Sequence, residues 1–240
     1  MPEQSSGYFR MSGKITADVS FVNESLRKQL RGFGPVGLAA FAIIMLVSLS
    51  LAPIGGILVL LWARLSRTPL KDLGLVRPKS WLVDIVSGVA LGVGLKFAMK
   101  AVVLPLLGGP AVNSSYHYLA TDRQAAMVAA AYAIFGAGFG EEMVFRGFLF
   151  ERSAKLFGRG TAQNLFTLIF VTALFAVLHF RQGPGGIVNA ALTGLAIGAV
   201  YLANGRRLFP LMVAHATFDL VSLAIILLNL ELPVSRLIFG

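Results

Sequence analysis

Hydrophobic residues along this chain come in long blocks, with few of the short alternating runs that indicate strands. After a polar segment, the apolar blocks cover approximately 36–62, 81–107, 124–150, 162–179, 186–203 and 208–229. An apolar block of about twenty residues is long enough to cross a bilayer as a helix. We therefore predict an all-α fold, a polytopic transmembrane helix bundle with about 6–7 membrane segments.

The first block, 36–62, is long for one span and short for two, and the sequence Pro53-Ile54-Gly55-Gly56 interrupts it. Its length favours one kinked helix. Basic residues on both sides of it favour a broken hairpin with both ends on the same side of the membrane. Of the two, we favour the single kinked span.

The chain divides into a polar N-terminal segment, 1–32, and a membrane domain, 33–240, with a catalytic core at about 123–220. Within the polar segment one helical face collects the apolar residues Ile15, Val19, Val22, Leu26 and Leu30. Such a face next to basic residues is typical of a helix lying in the membrane interface. The alternative is a poorly ordered basic tail.

Composition supports a membrane protein, since 56% of the residues are hydrophobic, only 13% are charged and the mean hydropathy is +0.77. The net charge of +10 comes largely from Lys and Arg in the loops at 63–80, 151–160 and 204–207. This positive-inside pattern predicts cytoplasmic loops and does not indicate a nucleic-acid partner. We expect a multi-pass protein of the cell membrane, with lipid as a partner and an active site open to the cytoplasm. The absence of Cys excludes thiolate catalysis.

Charged and histidine residues inside membrane spans are costly, and they usually mark a functional site. The predicted spans contain Asp84, Lys96, Lys100, Glu141, Glu142, Arg146, His179, His215 and Asp219. Glu142 and Arg146 are one helical turn apart, so we expect them to pair. Glu141 is rotated by about 100° from Glu142 and has no evident structural partner. Asp84 is isolated, and the two lysines either line a cavity or reach the outer interface.

Three of these polar insertions are expected to meet at one depth. If 124–157 is one helix that turns near 158–160 and returns along 161–179, Glu141 and His179 both lie about 27–30 Å from the turn. His215 lies about 12 Å beyond its own loop and can reach a similar depth. His215 and Asp219 share a helix face, where they could form a structural hydrogen bond or, with His179, supply zinc ligands.

A carboxylate, two histidines and an aspartate in a buried cavity suggest hydrolysis by an activated water. Glu141 would act as general base, with His179 binding the same water. His215 and Asp219 would stabilise the oxyanion. We predict no cofactor, with zinc held by His179, His215 and Asp219 as the alternative. The sequence lacks the Gly-x-Ser-Gly, His-Glu-x-x-His and Gly-x-Gly-Asp motifs of other intramembrane proteases.

Three ordered motifs resemble the CPBP family, the CAAX-protease and bacteriocin-processing group that is also called Abi. They are Glu141-Glu142-x-x-x-Arg146, Phe175-x-x-x-His179 and His215-x-x-x-Asp219, and Asp72-Leu73-Gly74-Leu75 is similar to the segment that often precedes the core of that family. The resemblance covers about 71–220. It implies an intramembrane endopeptidase of the type II CAAX prenyl kind, acting on a peptide or protein with or without a prenyl group.

By that resemblance Glu141 and His179 activate water, His215 and the residue at 219 form the oxyanion site, and Glu142 and Arg146 support them. The prenyl-protease branch has Asn at the position of Asp219, and an ionised Asp cannot donate a hydrogen bond. Asp219 is therefore protonated, or it orients His215, or the site binds a metal.

Two functions of other classes remain as alternatives. One is a non-enzymatic bacteriocin-immunity or scaffold protein with the same fold, which would have little need for the complete set of Glu, His and Asp. The other is a proton-coupled transporter in which Glu141, His179 and His215 relay protons. A transporter would more naturally show paired inverted halves.

Overall fold

A computed structural model describes residues 23–239, and in this range helices joined by turns and short loops form the fold, without strands. The helices are α1 (Glu24–Arg31), α2 (Pro35–Ser50), α3 (Ala52–Ser66), α4 (Trp81–Leu106), α5 (Arg123–Phe157), α6 (Thr161–Leu178), α7 (Gly183–Ala203), α8 (Phe209–Leu227) and α9 (Glu231–Ser235). Short 3₁₀ turns lie at Leu70–Leu73, His117–Ala120 and Phe180–Gln182.

The prediction of a polytopic all-α bundle is confirmed. Within the described residues five helices, α4 to α8, are long and apolar enough to cross a membrane. The number rises to six if α1 and α2, which are bent by 59° relative to each other, are counted as one span. The predicted blocks from 81 onwards agree with these helices, except that α5 continues through most of the predicted loop 151–160.

The first apolar block is a hairpin, so the expectation of one kinked span over 36–62 is wrong. Phe41 on α2 and Trp62 on α3 both pack against the ring of Phe148, with centroid distances of 5.7 and 4.9 Å. On one straight helix Phe41 and Trp62 would be about 31 Å apart. The reversal occurs at Leu51, whose φ of −139° is not helical, and Pro53 then lies in the first turn of α3.

The short helix α1 packs beside the C-terminal part of α3. Its N-terminus is capped by Asn23, whose side chain accepts a hydrogen bond from the Leu26 amide at 2.8 Å. The Trp62 indole donates to the Leu30 carbonyl at 3.0 Å, and the Arg152 guanidinium donates to the Arg31 carbonyl at 2.9 Å. The other predicted members of its apolar face, Ile15, Val19 and Val22, lie outside the described residues.

The basic loops gather at one end of the bundle, which we call the basic end: α1, the loop 67–80, the turn 158–160 and the loop 204–208. The Leu208 amide donates to the Gly74 carbonyl at 2.9 Å, and Arg206 donates to Asn164 at 2.6 Å. Gly74 has a φ of +81°, and a Cβ there would overlap the Arg206 carbonyl oxygen. The Asp72-Leu73-Gly74-Leu75 segment therefore needs glycine where it docks onto the loop 204–208.

Asp84 is not isolated, contrary to the expectation from the sequence. Its buried carboxylate, in the first turn of α4, forms an ion pair with the guanidinium of Arg207. The partner lies 123 residues away in the chain, so sequence spacing gives no indication of it. The pair ties the start of α4 to the start of α8.

Close backbone contacts place α5 and α4 against α8, the helix that carries His215. A Cβ at Gly138 would lie 2.8 Å from the Met212 carbonyl oxygen, and one at Gly92 would overlap the Ala214 carbonyl oxygen. Small residues permit such close helix approach in membranes. Gly88, Gly92, Gly194 and Gly198 lie at such helix contacts, whereas Gly94 faces away from the protein.

Candidate active site

The two adjacent glutamates lie on an unusual stretch of α5. The segments Ala133–Glu141 and Met143–Leu149 have π-helical geometry, in which the turn is wider than in an α-helix. Such segments are rare in proteins overall, and those that occur are frequently at functional sites. The apolar sequence pattern predicts a helix here but gives no indication of its π-helical turns.

The predicted pair of Glu142 and Arg146 is present, and it has a third member. Arg146 Nη1 donates to Glu142 Oε1 at 2.8 Å, and His215 Nδ1 donates to the same oxygen at 2.7 Å. Arg146 Nη2 also donates to the Gly194 carbonyl on α7 at 3.2 Å. The side chains of Glu142, Arg146 and His215 are buried, and their hydrogen bonds join α5, α7 and α8.

Glu142, rather than Asp219, therefore orients His215. Sequence spacing favours Asp219, which is one turn from His215 on α8, but the described residues show no hydrogen bond between the two. The Glu142 contact crosses 73 residues, and no periodicity along one helix could predict it. His215 Nδ1 is committed to Glu142, and Nε2 is directed to the other glutamate.

Glu141 has no hydrogen-bond partner among residues 23–239 and faces a cavity. Its Oε2 atom lies 3.9 Å from His215 Nε2, and 15% of its side chain is exposed. That distance is too long for a direct hydrogen bond and short enough for a bridging water. Glu141 thus remains available to a ligand, while one oxygen of its neighbour Glu142 binds both Arg146 and His215.

His179 follows the last residue of α6 and also lines the cavity. Its Nδ1 atom lies 2.7 Å from the Phe175 carbonyl oxygen. A carbonyl only accepts, so Nδ1 carries the proton and the neutral ring presents an unprotonated Nε2 atom.

Phe175 separates the two histidines, with its ring centroid 4.5 Å from that of His179 and 6.0 Å from that of His215. The Arg146 guanidinium lies 5.0 Å from the same centroid. The ring of Phe175, the first residue of its motif, therefore lies between the rings of His179 and His215. The sequence gives no indication of this position.

One cavity of about 1190 Å³ contains the predicted site residues. Glu141, His179, His215 and Asp219 all line it, and so do Lys96 and Lys100. The structure therefore brings the four predicted catalytic residues to one cavity. Of the two positions expected for the lysines, it shows both of them lining the cavity.

The cavity extends away from the basic end. Its lining continues to the loop 107–119, to the segment 181–186 and to Glu231, a region that we call the cavity end. Glu231 is buried there, accepts a hydrogen bond from the Asn113 amide at 2.9 Å, and pairs with His117 and Lys100 at 3.1 and 3.8 Å. Burial raises the pKa of Tyr116 in the same wall, so its phenol remains a neutral donor.

The position of the cavity bears on two expectations: that the basic loops are cytoplasmic, and that the active site opens to the cytoplasm. The basic loops and the opening of the cavity lie at opposite ends of the bundle, because α6, α7 and α8 each run from one end to the other. If the basic loops face the cytoplasm, the cavity does not. Cytoplasmic basic loops and a site open to the cytoplasm cannot both hold.

Among residues 23–239 no three His, Asp or Glu side chains are grouped so that they could hold a metal ion. His215 presents only Nε2 to the cavity, since Nδ1 binds Glu142. Zinc bound by His179, His215 and Asp219 would require these side chains to approach one another. The absence of a metal cofactor stays a prediction.

The family model Rce1-like, described as type II CAAX prenyl endopeptidase Rce1-like, matches residues 123–221. No curated protein and no solved structure matches the chain. The matched segment contains all three motifs, from Glu141 to Asp219, and the family indicates a peptidase that acts on peptide or protein substrates in membranes. The resemblance expected from the three motifs is therefore confirmed over this segment: residues 123–221 of this multi-pass membrane protein match the family model of type II CAAX prenyl endopeptidases, Rce1-like.

Proposed function

We propose that this protein is an intramembrane endopeptidase in which Glu141 activates a water molecule for attack on a peptide bond. The observation that carries the proposal is the unengaged Glu141 carboxylate, 3.9 Å from His215 Nε2 in the wall of a large cavity. The carboxylates of Asp84, Glu142 and Glu231 each have a cationic partner, and a free carboxylate beside a histidine suits a general base.

His179 completes the water site. Because its Nδ1 proton is donated to the Phe175 carbonyl, Nε2 can accept a hydrogen bond from the same water. As the water oxygen bonds to the carbonyl carbon of the substrate, Glu141 takes a proton from that water. Glu141 then returns that proton to the departing amine, so the carboxylate is regenerated.

His215 belongs to the oxyanion side of the reaction. With Nδ1 donating to Glu142, its Nε2 can donate to the developing oxyanion only when the ring is an imidazolium. The Glu142 carboxylate offsets that positive charge, and Arg146 holds the carboxylate in place. Glu142 and Arg146 are thus positioning residues.

The substrate class is a peptide or protein segment at the membrane. The cavity wall combines the polar site with apolar residues of α4 and α5, among them Leu104, Leu107 and Val128. A prenyl chain or an apolar side chain would lie against that wall. A matched pair of peptides, with and without the prenyl group, distinguishes the two.

We further propose that the basic end faces the cytoplasm. The basic end carries most of the described Lys and Arg residues, whereas the Arg residues towards the cavity end are Arg123 at the start of α5, Arg181 between α6 and α7, and Arg236 after α9. Such a bias sets membrane orientation. A substrate would then enter the cavity from the non-cytoplasmic side or from the lipid.

Proteolysis by the purified protein tests the proposal. In detergent, we expect cleavage of members of prenylated or unprenylated peptide libraries, detected by mass spectrometry. His179→Ala should abolish cleavage, and His117→Ala is the matched control. His117 is 56% exposed and bonds Glu231 outside the water site, so this variant should retain cleavage. No cleavage by the wild type, or equal cleavage by His179→Ala, would overturn the proposal.

A further inference from the structure

Lys96 is a cation in the active-site cavity that the proposed reaction leaves without a role. It lies on α4, one turn beyond Gly92, where α4 is in backbone contact with α8. Its Nζ atom lies 4.8 Å from the centroid of Phe218, the residue before Asp219. Both Lys96 and Asp219 line the cavity.

The two lysines of α4 differ in their partners. Lys100, one turn further along, donates to the Ala111 carbonyl and lies 3.8 Å from Glu231. Lys96 has no carboxylate within 4.0 Å among residues 23–239 and no hydrogen-bond partner there. A lysine within a membrane span is costly unless a counter-charge or function compensates it. Asp219 is the one carboxylate residue on α8, and it lines the same cavity.

Asp219 is a carboxylate for which the described residues show no cationic partner. Asp219 lines the cavity in which, by the proposed reaction, negative charge develops on the substrate, and an ionised carboxylate cannot donate a hydrogen bond. Alone it would oppose oxyanion formation. An ammonium group beside it cancels its charge and supplies hydrogen-bond donors, which is what an oxyanion site requires.

We propose that Lys96 is the counter-charge of Asp219 and that the pair, together with His215, stabilises the oxyanion. As water attacks, the C=O π electrons move to oxygen, and the Lys96 ammonium and the His215 Nε2–H face that charge. No proton leaves Lys96 in this step. The inference rests on the proposed function.

Steady-state kinetics of variants at Lys96 and Asp219 test it. Lys96→Met keeps the aliphatic stem and removes the charge, so kcat should fall about 10²-fold with KM little changed, as for loss of one oxyanion donor. Lys96→Arg should retain most of kcat. In Lys96→Met/Asp219→Asn the uncompensated carboxylate is gone and the amide can donate, so kcat should recover at least tenfold over Lys96→Met.

Lys100→Met is the matched control, since its charge is paired with Glu231. It should lose thermal stability, and adding Asp219→Asn should change its kcat by no more than the same substitution changes the kcat of the wild type. Wild-type kcat in Lys96→Met would overturn the inference, and so would equal loss in a folded Lys96→Arg or lack of rescue by Asp219→Asn. Activity in Glu141→Gln would instead overturn the proposed function, so the two failures are distinguishable.

Discussion

At the scale of residues, neighbouring carboxylates in α5 have opposite environments. Glu142 is fully buried and holds Arg146 and His215, whereas Glu141 has no partner among the described residues and faces the cavity. The sequence predicts the first pair, because Glu142 and Arg146 share one helix. It could not predict the contact with His215, because that contact depends on how α5 and α8 pack.

Removing either member of the Glu142–Arg146 pair should destabilise the protein. Glu142→Gln and Arg146→Ala each leave a buried charge without its partner, which costs about 3–5 kcal/mol of the free energy of unfolding. Thermal unfolding in detergent should show a lower Tm, together with loss of activity. Glu24→Gln, on the exposed surface of α1, is the control and should leave Tm unchanged. An unchanged Tm in Glu142→Gln would contradict the geometry of the pair.

Substitution of Asp219 decides between the metal-free and zinc mechanisms. We favour the metal-free mechanism, in which Asp219→Asn supplies a donor at every pH, so activity near neutral pH should be retained or rise, and chelators should have little effect. In the zinc mechanism an anionic ligand is replaced by a weaker neutral one, so metal affinity and activity should fall together. Stoichiometric zinc in the purified protein, lost with activity in Asp219→Asn, would contradict our expectation.

At the scale of elements, the sequence predicts helices with long apolar blocks well and short interrupted ones poorly. The bounds of α6 and α8 follow from block length, since each block is close to one bilayer thickness. The hairpin of α2 and α3 could not be predicted from length, because it depends on the shared contact of Phe41 and Trp62 with Phe148. The π-helical turns of α5 likewise leave no periodic pattern.

Distance measurement across the hairpin tests this correction. The chain has no Cys, so spin labels can be placed at Leu38→Cys and Arg64→Cys, two exposed positions. Each lies 13 residues from Leu51. A hairpin places the helix axes about 8–10 Å apart, so we expect labels separated by about 20 Å. One straight helix would give about 39 Å, and that result would contradict the hairpin.

At the scale of the whole molecule, charge and cavity occupy opposite ends. The loops predicted to be basic and cytoplasmic do gather at one end, through contacts such as Leu208 with Gly74. The sequence could not show which end the cavity faces, because that depends on where α4, α5 and α8 separate. The expected opening to the cytoplasm came from the orientation of the loops alone.

Single-Cys labelling measures the orientation directly. Arg159→Cys at the basic end should react with a membrane-impermeant thiol reagent only from the cytoplasmic side, and Ser114→Cys at the cavity end only from the other side. Labelling of Arg159→Cys from outside, with Ser114→Cys protected, would reverse the orientation and return the cavity to the cytoplasm. Labelling of both residues from one side would contradict the arrangement of the helices.

The measurement that tests the central claim most directly is the kcat of Glu141→Gln in detergent. Glu141 forms no hydrogen bond among the described residues, and its Oε2 atom lies 3.9 Å from His215 Nε2, so the variant should keep a Tm close to that of the wild type. Loss of the general base should lower kcat by a factor of about 10² to 10⁴. A folded Glu141→Gln protein with near wild-type turnover would contradict the claim that this carboxylate activates the water.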